Sequence, residues 1–125
     1  MKKVSSSSAP QAVGAYSQAI STDNLLFISC QLGLHPETGV IVEGGIEAET
    51  QQALANIKAV LEAANLSLAN VVKVTVLLAD IQEFNLMNAV YSQTFEEPYP
   101  ARSAYAVAAL PKGGRVGIEV IAEIE

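Results

Sequence analysis

The chain has 125 residues, half of them apolar and only 16% charged, where about 25% charged is usual for globular domains. Seven basic residues against thirteen acidic ones leave a net charge of −6, which excludes the basic face that nucleic-acid binding requires, and the apolar content excludes disorder. A single domain over residues 1–125 buries about two-thirds of its unfolded surface, enough for a core without disulfides or a structural metal.

So few charges on a small chain predict that part of its surface is hidden against copies of itself. From Val4 to Pro36 the only formal charge is Asp23, and no Lys or Arg lies between Lys3 and Lys58. That neutral quarter is expected to be core or subunit interface. The lone Cys30 forbids an internal disulfide and fits a reducing compartment. Met1-Lys2-Lys3 is followed by serines and Pro10 rather than an apolar stretch, and the apolar run Val71–Ala79 is too short to span a bilayer. The expectation is a soluble cytoplasmic protein with no membrane partner.

In chain order, Lys3–Ser6 is predicted as a short strand and Ser7–Ser17 as an ordered loop. Ala19–Thr22 and Leu25–Cys30 flank Asp23-Asn24, a two-residue hairpin signal. Gln31–Gly45 reads as loop. Ile46–Ala64 carries a helical apolar stripe on Ile46, Ala53, Leu54, Ile57, Val60, Leu61 and Ala64. Glu47 and Glu49 sit in its first turn, where the dipole favours them, and Asn65 ends it at C′. Val71–Ala79 is a β-branched central strand. Asp80–Glu83 resembles a capping box opening a second helix on Phe84, Met87, Val90, Tyr91 and Phe95, stopped by Pro98 and Pro100. Arg102–Ala109 and Arg115–Glu125 read as strands joined by a Pro111–Gly114 hairpin. In the last strand Val116, Ile118, Val120, Ala122 and Ile124 share one face, and Gly117, Glu119, Ile121 and Glu123 share the other.

The order β-β-β-α-β-α-β-β predicts an α+β fold: a single mixed sheet with two helices on one face and right-handed crossovers. The central strand is apolar on both sides, so the uncovered sheet face calls for a second copy of the chain.

Few residues offer chemistry. His35 is the only histidine, and no nucleophile-elbow motif accompanies it, so an exposed loop residue is the expectation. One Cys and one His do not make a zinc site, and Gly113-Gly114 opens no helix, so no phosphate loop forms. Cys30 reads as a small buried strand residue rather than a nucleophile. Arg102 follows Pro100-Ala101 on a strand of small residues, which leaves room for a carboxylate ligand gripped by two parallel hydrogen bonds. Composition alone ranks a structural salt bridge slightly ahead of that reading.

Several motifs occur in order: Gly14-Ala15-Tyr16-Ser17-Gln18-Ala19, Phe27-Ile28-Ser29-Cys30-Gln31, Asn56-Ile57-Lys58-Ala59, Val72-Lys73-Val74-Thr75-Val76, Phe84–Tyr91 with Met87-Asn88, Pro100-Ala101-Arg102-Ser103, and Ala108-Ala109-Leu110-Pro111-Lys112-Gly113. With these motifs, spread over essentially the whole chain, the sequence resembles the RidA/YjgF family of reactive intermediate (enamine/imine) deaminases. Older labels for that family are translation initiation inhibitor and endoribonuclease L-PSP.

The resemblance implies a chorismate-mutase-like fold, a homotrimer with sites in the clefts between subunits, and no cofactor. It also implies a substrate: 2-aminoacrylate and related 2-imino acids, hydrolysed to 2-keto acids and ammonium. On this basis Arg102 holds the substrate carboxylate, Ser29 and the backbone N–H of Cys30 bind the carboxylate or carbonyl end, and Tyr16 closes the pocket across the interface. Asn88 lies near the site, and Ala104 stands where many bacterial members carry Cys. The family's Ser-Gly-Gln is Ser29-Cys30-Gln31 here. Its Ile-Glu-Ile-Glu is Val116-Gly117-Ile118-Glu119, so the position of the water-positioning carboxylate is Gly117. Glu119, about 7 Å further along the same face, either serves through a water or is a surface carboxylate. The expected activity is a weak or specialised 2-iminobutanoate/2-iminopropanoate deaminase. Its rival is a non-catalytic regulator of the same fold that binds a small 2-keto or imino acid.

Overall fold

The computed structural model describes residues 1–125. Strands β1 (Lys2–Val4), β2 (Ala19–Ser21), β3 (Leu25–Leu32), β4 (Val71–Leu78), β5 (Ala101–Ala106) and β6 (Val116–Glu123) form one mixed sheet in the order β1-β2-β3-β6-β4-β5. Helices α1 (Gly45–Ala63) and α2 (Phe84–Thr94) complete the α+β fold. No helix is long and apolar enough to cross a membrane.

The stripe on α1 does what its spacing predicts. Ile46, Ala53, Leu54, Ile57, Val60 and Leu61 are buried against β3, β6 and α2, each larger side chain stabilising the fold by about 1.5–3 kcal/mol. Asn65 takes the left-handed conformation at φ 61°. Asn65 N–H donates to Glu62 O and Leu66 N–H to Leu61 O, both at 2.9 Å, which closes the helix as a Schellman motif. On the sheet, Leu26, Ile28, Val74, Val76, Ile118 and Val120 face the helices and are buried.

The opposite face carries none of the chain's own helices. Phe27 there is 41% exposed and Tyr105 51% exposed. Lys73, Thr75 and Leu77 on β4 are half-buried, so this face of the central strand is mixed rather than wholly apolar.

Three local expectations are corrected. Pro111–Gly114 does not close a hairpin. β5 pairs with β4 in parallel, through the α2 crossover, while β6 inserts between β3 and β4, antiparallel to both. The parallel crossover occupies the outer edge of β4, and the apolar face of β6 is buried only by an interior position in the sheet. That insertion also separates β3 from β4, leaving one parallel pair.

Asp80 caps a single 3-10 turn by accepting from Gln82 N at 2.9 Å. Glu83 does not complete a capping box and instead binds Arg115, with Nη1 at 3.0 and 3.1 Å from its two oxygens. Glu49 lies beyond the first turn of α1, which holds Glu47; it is 3% exposed and accepts from Arg115 N–H at 2.8 Å. Its burial is satisfied by that bond and by the Arg115 guanidinium at 3.7 Å.

Candidate functional site

The loop before β2 is held by one buried glutamine. Gln18 accepts from Ser6 N–H at 2.6 Å and donates to Pro10 O at 2.7 Å, so the neutral segment from Ser6 to Gln18 lies fixed against the sheet. Ser29 continues that attachment. Its N–H donates to Gln18 O at 2.9 Å and its hydroxyl to Ser17 O at 2.6 Å.

These bonds accompany a break in the β3–β6 ladder. The register passes from Ile28↔Val120 to Gln31↔Ile118, so Ser29 and Cys30 together oppose Glu119. This is a β-bulge, which re-aims side chains beside a site. Ile28 and Gln31 both stay buried toward the helices, and both bulge residues turn to the uncovered face. There Cys30 lies over Gly117: a Cβ at Gly117 would stand 2.6 Å from Cys30 Sγ.

Tyr16, Ser29 and Cys30 border one cavity of about 670 Å³ with Leu32, Leu77 and Leu110. Tyr16 is 53% exposed, and its hydroxyl accepts from Val13 N–H at 3.4 Å. Burial pushes the Cys30 thiol up to about 11, and the negative charge of Glu119 adds to the shift. The thiol is therefore neutral at physiological pH and is no nucleophile. Glu119 is exposed and borders a second cavity, of about 350 Å³, with Ser29, Lys73 and Thr75.

Arg102 lies elsewhere in the single chain. On β5 it is opposite Val74 and reaches toward α2, where Nη1 donates to Asn88 Oδ1 at 2.6 Å. Its guanidinium carbon is 4.6 Å from the Tyr91 ring centroid and 5.4 Å from that of Phe84, cation–π distances that hold the group flat. Arg102 pairs with no carboxylate; the two ion pairs of the chain both belong to Arg115. The salt-bridge reading of Arg102 thus has no partner in the chain, and its charge is free for an anion. A cavity of about 450 Å³ opens beside it, bordered by Asn88, Ser92, Tyr99 and Pro100. Ala104, on the same face of β5, is half-buried and packs against the core.

The structure therefore brings together Tyr16, Ser29 and Cys30, and separately Arg102 and Asn88. Tyr91 and Phe84 were not singled out for the site from sequence. They sit at i+3 and i−4 from Asn88, one face of α2, and that spacing was the available signal. The Tyr91 hydroxyl is buried with no hydrogen-bond partner; burial raises its pKa above the usual range, and Arg102 acts in the opposite direction. His35 is an exposed loop residue whose Nδ1 accepts from Glu37 N–H at 3.2 Å. No three His, Cys, Asp or Glu side chains gather as a metal-ligand set.

A six-stranded mixed sheet with two helices on one face, a bulge presenting Ser29 and Cys30, and an unpaired arginine on the edge strand define a class of protein. The endoribonuclease L-PSP family model matches residues 6–124. A 2-iminobutanoate/2-iminopropanoate deaminase of Bos taurus is 54% identical over 97% of this chain and 88% of its own length. RidA from the Antarctic bacterium Psychrobacter sp. PAMC 21119 has a TM-score of 0.95 at 48% identity, with 99% of this chain and 100% of that one covered. E. coli TdcF, solved with bound serine, has a TM-score of 0.94 at 36% identity over 100% of both chains. The chain belongs to the endoribonuclease L-PSP family, the RidA/YjgF family that its motifs resemble.

Proposed function

We propose that this chain is a 2-iminobutanoate/2-iminopropanoate deaminase acting in the cytoplasm. The observation that carries this reading is the 54% identity to the bovine enzyme of that name over 97% of the chain. The free guanidinium of Arg102 supports it, because a 2-imino acid is a small anion that a planar fork binds through its carboxylate.

The reaction adds water at C2 and expels the nitrogen: R–C(=NH2⁺)–COO⁻ + H2O gives R–CO–COO⁻ + NH4⁺. Arg102 fixes the carboxylate, while Ser29 and the Cys30 N–H orient the other end from the bulge. Asn88 and Tyr91 hold the guanidinium flat, and Tyr16 covers the substrate. The two halves lie on separate surfaces of one chain, and one sheet face lacks cover. A homotrimer resolves both facts by placing Arg102 of one subunit against Tyr16, Ser29 and Cys30 of the next. The reaction needs little further help, since a protonated imine is itself electrophilic and hydrolyses in water. Glu119 assists proton transfer through a water and accounts for part of the rate.

The relatives bear deaminase names, so a non-catalytic regulator is not favoured, and a net charge of −6 disfavours RNA as substrate. The test is the loss of 2-aminoacrylate, generated by a pyridoxal-phosphate dehydratase, with and without this protein. A faster loss is expected; an unchanged rate at micromolar protein overturns the reading. Light scattering should return about three times 13.1 kDa, and a monomer would remove the shared site.

A further inference from the structure

Residues 10–17, which carry Tyr16, lie outside every strand and helix. None of the backbone–backbone hydrogen bonds outside the regular elements begins or ends among them. Their one internal bond is the long one from Val13 N–H to the Tyr16 hydroxyl, at 3.4 Å. Gly14 sits in the middle at φ 124°, and Val13 is 84% exposed.

The loop is held instead at its two ends. The Ser17 carbonyl accepts the Ser29 hydroxyl at 2.6 Å. The Pro10 carbonyl accepts Gln18 Nε2 at 2.7 Å. The same amide spans Ser6, accepting from its N–H at 2.6 Å and donating to its carbonyl at 3.1 Å. Gln18 is 4% exposed, so water competes little for these bonds. Its own carbonyl takes the Ser29 N–H at 2.9 Å. One residue therefore ties the start of the Tyr16 loop to the bulge that presents Ser29.

We propose that the Gln18 side chain is a positioning residue for the deamination site: it closes the Pro10 end of the loop and so sets where Tyr16 stands relative to Ser29. For the place of Tyr16 over the substrate this rests on the deaminase reading; every bond it uses lies within one chain. With the amide gone, no hydrogen bond holds Pro10. Tyr16 then samples positions that must be given up each time substrate binds. The cost falls on binding, so KM rises. Loss of folded protein has a different signature, since it lowers the apparent kcat and leaves KM where it was.

The test is Gln18→Leu, which keeps the bulk and removes the bonds. The substrate is 2-iminobutanoate, generated in place from 2-aminobutanoate by an amino-acid oxidase. KM should rise about 10- to 100-fold, the scale of a small misplacement, with kcat within about threefold of wild type. In a Tyr16→Ala background the same substitution should cost about threefold or less, because the group it positions is gone. Pro10→Gly loosens the half-buried end of the same loop with no donor to lose. It should raise KM by about threefold, and it carries the test if Gln18→Leu does not assemble. An unchanged KM in the variants that assemble, or equal losses with and without Tyr16, overturns the proposal.

Titration with 2-oxobutanoate separates this role from the activity it serves. If the wild type hydrolyses no imine but binds the oxo acid, and Gln18→Leu weakens that binding, the positioning role stands and the deaminase reading falls. If hydrolysis is fast and KM does not respond to Gln18, the proposal alone falls. If nothing is bound or turned over, both fall.

Discussion

Cys30, in the β3 bulge, lies diagonally across the ladder from Gly117, which pairs with Leu32, and its sulfur stands 2.6 Å from the point where Gly117 would carry a Cβ. The family resemblance leads one to expect a glycine at position 30 and a glutamate at position 117, where this chain has cysteine and glycine. In this chain the Cys30 sulfur occupies the space beside position 117.

Gly117→Glu alone should therefore fail to raise the deamination rate. A Cβ at that distance makes the Cys30 thiol turn away, at a cost of about 1 kcal/mol, the low end of overpacking, because Leu32 and Leu110 stay at van der Waals distance. Adding Cys30→Gly should recover most of that loss. Urea unfolding of the four proteins of this double-mutant cycle measures the coupling, expected at about 0.5–1 kcal/mol. Additive effects would mean that the two positions do not share the space.

The thiol should make the fold alkali-sensitive. Its pKa is raised to about 11 by burial, so the unfolded chain releases the proton first as pH rises above about 9. The unfolded state then binds fewer protons than the folded one, and stability falls. Relative to Cys30→Ser, the wild type should lose about 2 kcal/mol between pH 9 and 11. Equal pH profiles of unfolding would place the thiol in water.

Arg102→Ala should weaken binding of a 2-keto acid by roughly 10- to 150-fold, the roughly 1.5–3 kcal/mol of a charge-assisted pair. Arg102→Lys should bind poorly as well, because a point charge replaces the planar fork. Calorimetric titration with 2-oxobutanoate distinguishes these outcomes from an arginine that touches no ligand, for which both variants would bind as wild type does.

Tyr91→Phe should keep activity and leave stability unchanged or raised by about 1 kcal/mol. It removes a hydroxyl that is buried without a partner while the ring beneath Arg102 remains. Tyr91→Leu removes the ring and should raise KM for the imino acid. Thermal melts and steady-state kinetics of both variants check this, and a destabilised Tyr91→Phe would reveal a bond to the hydroxyl.

Much of the fold was legible because its elements obey their own periods. The α1 stripe, the Asn65 stop and the two-faced β6 follow from side-chain spacing alone. The place of β6 between β3 and β4 was not legible, since local sequence carries no record of which strands become neighbours. Glu49 and Glu83 were misjudged for a related reason: their partner, Arg115, is distant in sequence and arrives only with that insertion.

Within the site, Arg102 and Ser29 were found through motifs. The bulge was not, because a two-against-one register depends on the partner strand. The departures at Cys30 and Gly117 were visible in sequence, yet their contact requires the ladder.

The central claim, a site shared between copies, is tested most directly by subunit mixing. Tyr16→Ala and Arg102→Ala chains, each of low activity alone, are unfolded together and refolded as mixed trimers. If Arg102 of one subunit serves the Tyr16 side of the next, random assortment restores about a quarter of the clefts and a matching share of wild-type deamination. If the mixture is no more active than its parents, each chain carries its own site, and the shared cleft is contradicted.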